Sequence, residues 1–394
     1  MSSLPTVILL LETSIEYGRG LLRGIVKYER LHGPWSIHVS AGHFQHAFPP
    51  IRPSGGALVG VISRLASVAE AEAILSSALP AIVLEPSLEE PALLEARKGL
   101  HEIRTDSSGI GRVGADYLVG LGLSRFVYCG YRRCPWSQTR EHAFASQVKA
   151  HGFPSQVYVP PAGKGEPWEQ DLGHLGEWLN ALLKPVGVMA CNDMCGRQVL
   201  QACADRGLRV PDEVSVVGVD NDELLCELAD PPMSSIALDL ERSGYAAAVL
   251  LDDIMTGRAT EGRQIVPVNP VKVVERRSTE PILQADPLVA DALRYLRDHA
   301  GRLIGVPDIS AHVGVSRRTL ERRFRSALGC SLYDELMRCR IERAKRLLRE
   351  TNLPAYRVAE AAGFGNIQPM MRLFRRELGC TPLDWRRLAR ESRA

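Results

Sequence analysis

Over residues 1–277, short β-branched apolar runs alternate with segments whose apolar residues recur every three or four positions, and then the alternation stops. The runs are VILLL (7–11), ALVGVIS (57–63), AIVLE (81–85), RFVYCG (125–130), GVMAC (187–191) and VSVVGVD (214–220). Continuous apolar runs of this length predict strands buried on both faces, and the intervening helices predict that they lie parallel. This pattern confines residues 1–277 to an α/β fold with parallel sheets. About ten strand–helix units are more than one small sheet holds, so two lobes are expected.

STEPILQADP (278–287) has two prolines and little periodicity, which predicts a linker over 278–286. Everything beyond it reads as helix. Starts are expected at Pro287, Pro307, Ser316, Ser331, Pro354, Asn366 and Thr381.

Within this helical region the same phrase occurs twice, as FRSALGC (324–330) and FRRELGC (374–380). Each closes a short helix, a turn containing Gly314 or Gly363, and a longer helix, so two helix-turn-helix units are expected at about 307–328 and 355–378. Ser316 and Asn366 suit the cap position of each second helix. Pro369 falls at a third helical position, where its missing N–H has no intrahelical partner to lose.

Leu320 and Phe324 point inward in the first copy, as Met370 and Phe374 do in the second, by their i, i+4 spacing. That leaves Arg318, Glu321 and Arg322 outward on one helix, and Gln368, Met371 and Arg372 at the matching positions of the other, with Ile367 beside them. Arginine matches the O6 and N7 of guanine, glutamine the N6 and N7 of adenine, and Met or Ile a thymine methyl. Outward residues near a helix N-terminus are the ones a major groove meets. Between the copies, SLYDELMRCRIERAKRLLRE reads as one long helix, with Arg338, Arg343, Lys345, Arg346 and Arg349 opposite its apolar stripe. Charge agrees with this reading. Residues 284–394 hold 22 Lys and Arg against 13 Asp and Glu, whereas the whole chain is only +2, so the α/β region is acidic. Lys345 is the one lysine among those 22, and arginine is the side chain suited to bidentate contacts.

On LERRFRSALGCSLYDELMRCRIERAKRLL, AEAAGFGN and RLFRRELGCTPLDWRR, residues 287–390 resemble the AraC/XylS-type DNA-binding domain, although GNIQPMM departs from that family's usual wording. The resemblance implies a domain over 287–394 with two helix-turn-helix units on a bridging helix. It also implies that Arg317, Arg318, Glu321 and Arg322 of the first helix and Ile367, Gln368, Met371 and Arg372 of the second read double-stranded DNA. From about residue 5 to 277 the chain resembles the LacI/periplasmic-binding-protein sensor, on TREHAFASQV, EPWEQDLG, ACNDMCGRQVLQ, GLRVPDEVSVVGVDNDEL and PPMSSIALDLERSGYAAAVLL, which implies a ligand-sensor domain over 1–277. This pairing resembles the xylose operon regulators. It implies a transcription regulator controlled by a small sugar, expected to be a pentose such as xylose. It also implies a second copy of the chain and RNA polymerase as further partners.

In open α/β sheets, ligands bind beyond the carboxyl ends of the strands. Tyr17 and Arg19 follow the first strand, Asn192 and Asp193 follow GVMAC, Asp220 ends VSVVGVD, and Arg140 opens a helix. Carboxylate, amide and guanidinium groups suit a polyhydroxyl ligand, and Trp168 offers an aromatic face to a sugar's C–H surface. Each also has a purely structural reading. Asn192 or Asp193 can cap the next helix, Asp220 can cap DELLCEL, Arg140 can be a surface ion pair, and Trp168 can be a packing residue.

No HExxH, GxSxG or phosphate-loop lysine occurs, so no enzyme and no cofactor are expected. The nine cysteines are odd in number and scattered, and Cys191 and Cys195 lack histidine partners, so reduced thiols and no metal site are expected. No apolar run approaches the roughly 20 residues that span a bilayer. VILLL is short for an export signal core and no basic segment precedes it, so a cytoplasmic, membrane-free protein is expected. The competing reading is a sugar-binding carrier or sugar-modifying enzyme with an incidental basic tail.

Overall fold

A computed structural model describes residues 4–39, 59–64, 68–85, 100–159, 172–258, 262–280 and 286–391. It divides into two compact units, Met1–Glu280 and Pro281–Ala394.

The first unit contains two six-stranded sheets. One lobe is built on β1 (Thr6–Leu10), β2 (Ser36–Val39), β3 (Val59–Arg64), β4 (Ala81–Leu84), β5 (His101–Thr105) and, late in the chain, β11 (Ile265–Val268). Its order is β11-β5-β4-β3-β1-β2, parallel throughout. The other lobe takes β6 (Phe126–Cys129), β7 (Ser155–Val157), β8 (Val186–Ala190), β9 (Val214–Val219), β10 (Ser234–Leu238) and β12 (Pro270–Val274). Its order is β12-β10-β9-β8-β6-β7, with only β12 antiparallel. The six apolar runs all form strands, and β8 and β9 are buried at every position because helices cover both faces.

The helices of this unit are α1 (Glu16–His32), α2 (Val68–Ser77), α3 (Ser107–Gly120), α4 (Pro135–Ala150), α5 (Leu172–Ala181), α6 (Asp193–Asp205), α7 (Glu223–Leu228) and α8 (Leu240–Met255). α1 and α8 pack closely because both contribute glycines. A methyl group on Gly24 would collide with the Glu241 carbonyl, and one on Gly244 with the Leu21 carbonyl.

The chain passes between the lobes at Asp106, Asp239 and Asn269. These crossings are tied together, since Asp106 N–H donates to Val268 O at 2.8 Å and Asp239 N–H to Asn269 O at 3.0 Å. Such a hinge leaves a cleft between the carboxyl ends of both sheets.

The start of the expected linker is corrected. Arg277–Thr279 forms a 3-10 turn, and Ser278 and Thr279 are buried. Ser278 Oγ donates to Val216 O at 2.6 Å, and Thr279 pairs with Ser234 Oγ at 2.6 Å. Small hydroxyl residues without apolar periodicity read as linker from sequence, but here they are bonded to β9 and β10, inner strands of the second sheet.

Every described element of the second unit is helical: α9 (Pro287–His299), α10 (Val306–Val313), α11 (Arg317–Leu328), α12 (Leu332–Glu350), α13 (Ala355–Ala361), α14 (Ile367–Leu378) and α15 (Pro382–Glu391). One core joins them, in which Leu293, Leu320, Phe324, Leu348, Met370 and Phe374 are buried. Arg340 of α12 is buried in it and donates to Ala300 O (3.3 Å), Arg302 O (3.0 Å) and Ile304 O (2.7 Å), the carbonyls between α9 and α10.

Candidate effector cleft and DNA-reading helices

In the first unit, Ile15, Tyr17, Arg64, Glu85, Thr105, Trp136, Arg140, Asn192 and Asp220 line one small cavity of about 60 Å³. Ile15 and Tyr17 follow β1, Arg64 ends β3, Glu85 follows β4 and Thr105 ends β5. From the other lobe, Trp136 and Arg140 lie in the first turns of α4, Asn192 follows β8 and Asp220 follows β9. Strand ends of both sheets therefore converge on one place, as open α/β sheets require.

The Tyr17 hydroxyl lies 3.0 Å from that of Thr105, and the Arg64 guanidinium sits 5.0 Å from the Tyr17 ring centre. The Arg140 guanidinium lies 4.8 Å from the Trp136 ring centre and donates to Cys191 O. Its Nε is buried with no hydrogen-bond partner. A buried donor left unpaired costs free energy, and a ligand oxygen would remove that cost. Asp220 has φ of 101°, a strained value for a non-glycine residue. Burial pushes its carboxyl up to about 6, while the Arg140 and Arg64 charges hold it down and Asp222 and Glu16 push it up.

The other expected ligand residues divide. Asn192 lines the cavity and also caps α6, accepting from Cys195 N–H at 2.9 Å. Asp193 is not among the lining residues. It is buried behind the cleft, accepting from Asp222 N–H at 2.7 Å and Ser235 Oγ at 2.6 Å. Burial and then the Asp220 charge raise its carboxyl well above the usual range. Arg19 is not at this cavity either. It donates to Asp222 at 2.6 Å and to Ser14 O at 2.7 Å, beside a more open cavity of about 580 Å³ that Asp220 also lines. Because Asp222 also accepts from Glu16 N–H at 3.1 Å, that carboxylate ties the start of α1 in one lobe to the β9–α7 turn of the other. Asp222, and not Asp220, caps α7. Trp168 lies outside the described residues.

Arg64, Glu85, Thr105 and Trp136 line the cavity without having been expected there. The first two stand at the ends of runs that read as strands, so the strand-end rule reaches them. Trp136 lies one helical turn before Arg140.

In the second unit, Gly314 (φ 73°) turns the chain between α10 and α11. Ser316 caps α11 by accepting from Thr319 N–H at 3.2 Å. Gly363 and Gly365, both with positive φ, turn it between α13 and α14, and Asn366 caps α14. A methyl on Gly363 would collide with Ala300 O, so only glycine fits there. Arg317, Arg318 and Arg322 of α11 and Gln368 and Arg372 of α14 are placed as follows: the three α11 arginines' neighbour Glu321 and, on α14, Ile367 and Met371 are partly covered, while Arg317, Arg318, Arg322, Gln368 and Arg372 are open to solvent to differing extents. Arg317 and Glu321 pair at 2.8 Å along the helix. Leu320, Phe324, Met370 and Phe374 are buried, so the face assignment from spacing agrees with the packing.

The long helix α12 is less free than its composition suggests. Arg338 pairs with Glu335 at 2.6 Å and Lys345 with Glu342 at 2.8 Å. Arg349 pairs with Glu350 at 2.8 Å, and Arg343 donates to Ala361 O at 2.9 Å.

Comparisons with known proteins agree with both halves. A family model described as a periplasmic binding protein-like domain matches residues 115–279, and one described as a helix-turn-helix domain matches residues 309–388. The chain is 28% identical over 384 residues to the xylose operon regulatory protein of Escherichia coli (strain K12), covering 96% of each. Over 103 residues it is 39% identical to a putative AraC-like transcription regulator of Streptomyces lividans, which is 26% of this chain and 34% of that one. The solved structure of a xylose-binding transcription activator superposes with a TM-score of 0.76 at 27% identity, covering 97% of this chain and 98% of the other. The chain joins a periplasmic binding protein-like domain to a helix-turn-helix domain, and over nearly its whole length it resembles the xylose operon regulators.

Proposed function

We propose that the cleft binds a pentose, xylose or a close stereoisomer, and that α11 and α14 read two stretches of an operator controlling sugar-catabolism genes. The observation that carries the sugar reading is the lining itself. Two guanidinium groups, two carboxylates, an amide and two aromatic rings from both lobes face one cavity, and Arg140 has a donor to spare. Alternating donors and acceptors beside aromatic faces suit a ring of hydroxyls with apolar C–H surfaces.

Tyr17, Arg140, Asn192 and Asp220 are the proposed ligand residues from the sequence reading, joined by Arg64, Glu85, Thr105 and Trp136. The ligand acts by its different affinity for two inter-lobe geometries, because a ligand that binds both equally shifts neither. Arg317, Arg318, Glu321, Arg322, Ile367, Gln368, Met371 and Arg372 are the proposed DNA contacts. The chain works in the cytoplasm as a homodimer, and RNA polymerase is its partner at the promoter.

A thermal-shift and calorimetric panel of pentoses and hexoses tests the first half. At least one pentose stabilises the full chain, and Asp220→Asn abolishes that shift. Silence across the panel would remove the sugar reading. For the second half, Arg318→Ala and Arg372→Ala each cost about 1–3 kcal/mol at a separate base step and relax preference there. A uniform loss on every duplex would make both arginines phosphate contacts.

A further inference from the structure

Asp286 closes the linker and opens the DNA-binding unit. Its carboxylate caps α9, with Oδ1 accepting from the N–H groups of Leu288 (3.1 Å) and Val289 (3.3 Å). The same carboxylate takes a two-pronged bond from Arg323 of α11, Nε to Oδ2 at 2.6 Å and a terminal nitrogen to Oδ1 at 2.8 Å. This fork geometry fixes direction as well as distance, which a single point charge does not. The Asp286 side chain is 14% exposed and that of Arg323 39%, so the pair lies at the edge of the core. The Arg323 bond, the largest cause, holds the Asp286 carboxyl below its usual range.

Placement on α11 gives the pair its meaning. Arg323 directly precedes Phe324, which is buried, and directly follows Arg322, on the outward side. A helix gripped at its inner residues can still roll by some degrees about its axis, and a roll moves outward side chains by ångströms. A bidentate bond on the flank of the helix opposes that roll. At the matching position α14 carries Leu373, which is buried, so the second reading helix is held there by packing.

We propose that Asp286 and Arg323 are positioning residues for DNA reading: their clamp sets the roll of the first reading helix and fastens it to the end of the linker. The proposal rests on α11 being a reading helix. Its consequence is asymmetric. Whatever displaces the linker end acts on the bases read by α11 and leaves those read by α14 alone.

The test uses the full chain and a duplex selected by that chain from a random-sequence pool. Affinities for every single-base variant of this duplex are measured for the wild type, Arg318→Ala and Arg372→Ala, which map the positions read by each helix. The same set is then measured for Asp286→Asn, Arg323→Gln and the double variant. Asparagine keeps the α9 cap, so helix content and melting of Asp286→Asn report whether the fold is intact.

Discrimination falls about three- to tenfold at the positions mapped by Arg318, is unchanged at those mapped by Arg372, and the double variant is no worse than either single one. Unchanged discrimination at the first set overturns the proposal, as do equal losses in both sets or losses that multiply in the double variant. If Arg318→Ala maps no position at all, the reading role of α11 falls and the clamp's role falls with it. If Arg318→Ala maps positions that the clamp variants leave intact, only the clamp is refuted.

Discussion

Asp220 joins backbone strain to an unfavourable charge in one residue. Its carboxyl titrates at about 6 in the folded chain, against about 3.9 when unfolded. A folded-state value above the unfolded one means that the folded chain binds the proton more tightly. The stability this gives is present below about pH 4 and is lost as pH rises through 6. Asp220→Asn removes that loss, so it raises the melting temperature of the sensor more at pH 7 than at pH 5. Equal shifts at both pH values would show that the carboxylate carries no such penalty. Sequence located Asp220, Asn192, Arg140 and Tyr17 because each stands near a strand end or opens a helix. It could not give direction. Each helical residue turns about 100° from the last, so Tyr17 faces the cleft while Arg19, two residues on, faces Asp222. Likewise Asp193, next to a lining residue, turns inward to Ser235.

At the scale of elements, the apolar runs and the helix starts were legible because burial on both faces and cap residues leave strong local marks. The strands β2, β5, β7, β10, β11 and β12 leave no such mark. β5 is HEIRT, whose Glu102 is fully buried against Arg104 (2.6 Å) and Arg263, a pairing from distant sequence that hides a core strand behind charges. The same limit applies to α12, whose composition reads as an arginine-rich spacer. Arg340 is its structural centre, since it satisfies three carbonyls between α9 and α10 and lies against Gly363, in the turn before α14. Arg340→Met keeps the stem and deletes the donors to Ala300 O and Ile304 O, while Arg302 O keeps the bond from Ile304 N–H at 2.8 Å. Destabilisation of the DNA-binding unit by about 2–4 kcal/mol follows, read as a lower denaturant midpoint. Because this one side chain touches segments beside both helix-turn-helix units, affinity falls for both halves of the duplex together. A loss confined to one half would contradict the role of a shared rivet.

For the sensor as a whole, the question is what holds two lobes in one geometry. The hinge strands permit rotation, and a tie that spans the lobes away from the hinge is the Asp222 carboxylate, bonded to Arg19 and to the N–H of Glu16. Asp222 N–H in turn donates to Asp193, the neighbour of Asn192 in the cavity lining. A ligand that closes the cleft and a tie that closes the lobes favour the same state, so each increases the apparent strength of the other. Arg19→Met breaks the ion pair from the α1 side and leaves the Asp222 cap of α7 in place. Sugar affinity by calorimetry then falls about three- to tenfold, since a smaller fraction of the chain is closed before the ligand arrives. DNA affinity without sugar changes only if that closed fraction already governs the reading heads, so measuring both in one variant separates the tie's effect on closure from its effect on DNA. Undiminished sugar affinity in Arg19→Met would show that the hinge crossings alone set the lobe geometry, and that the Asp222 bridge forms as a consequence of closure and not as a cause.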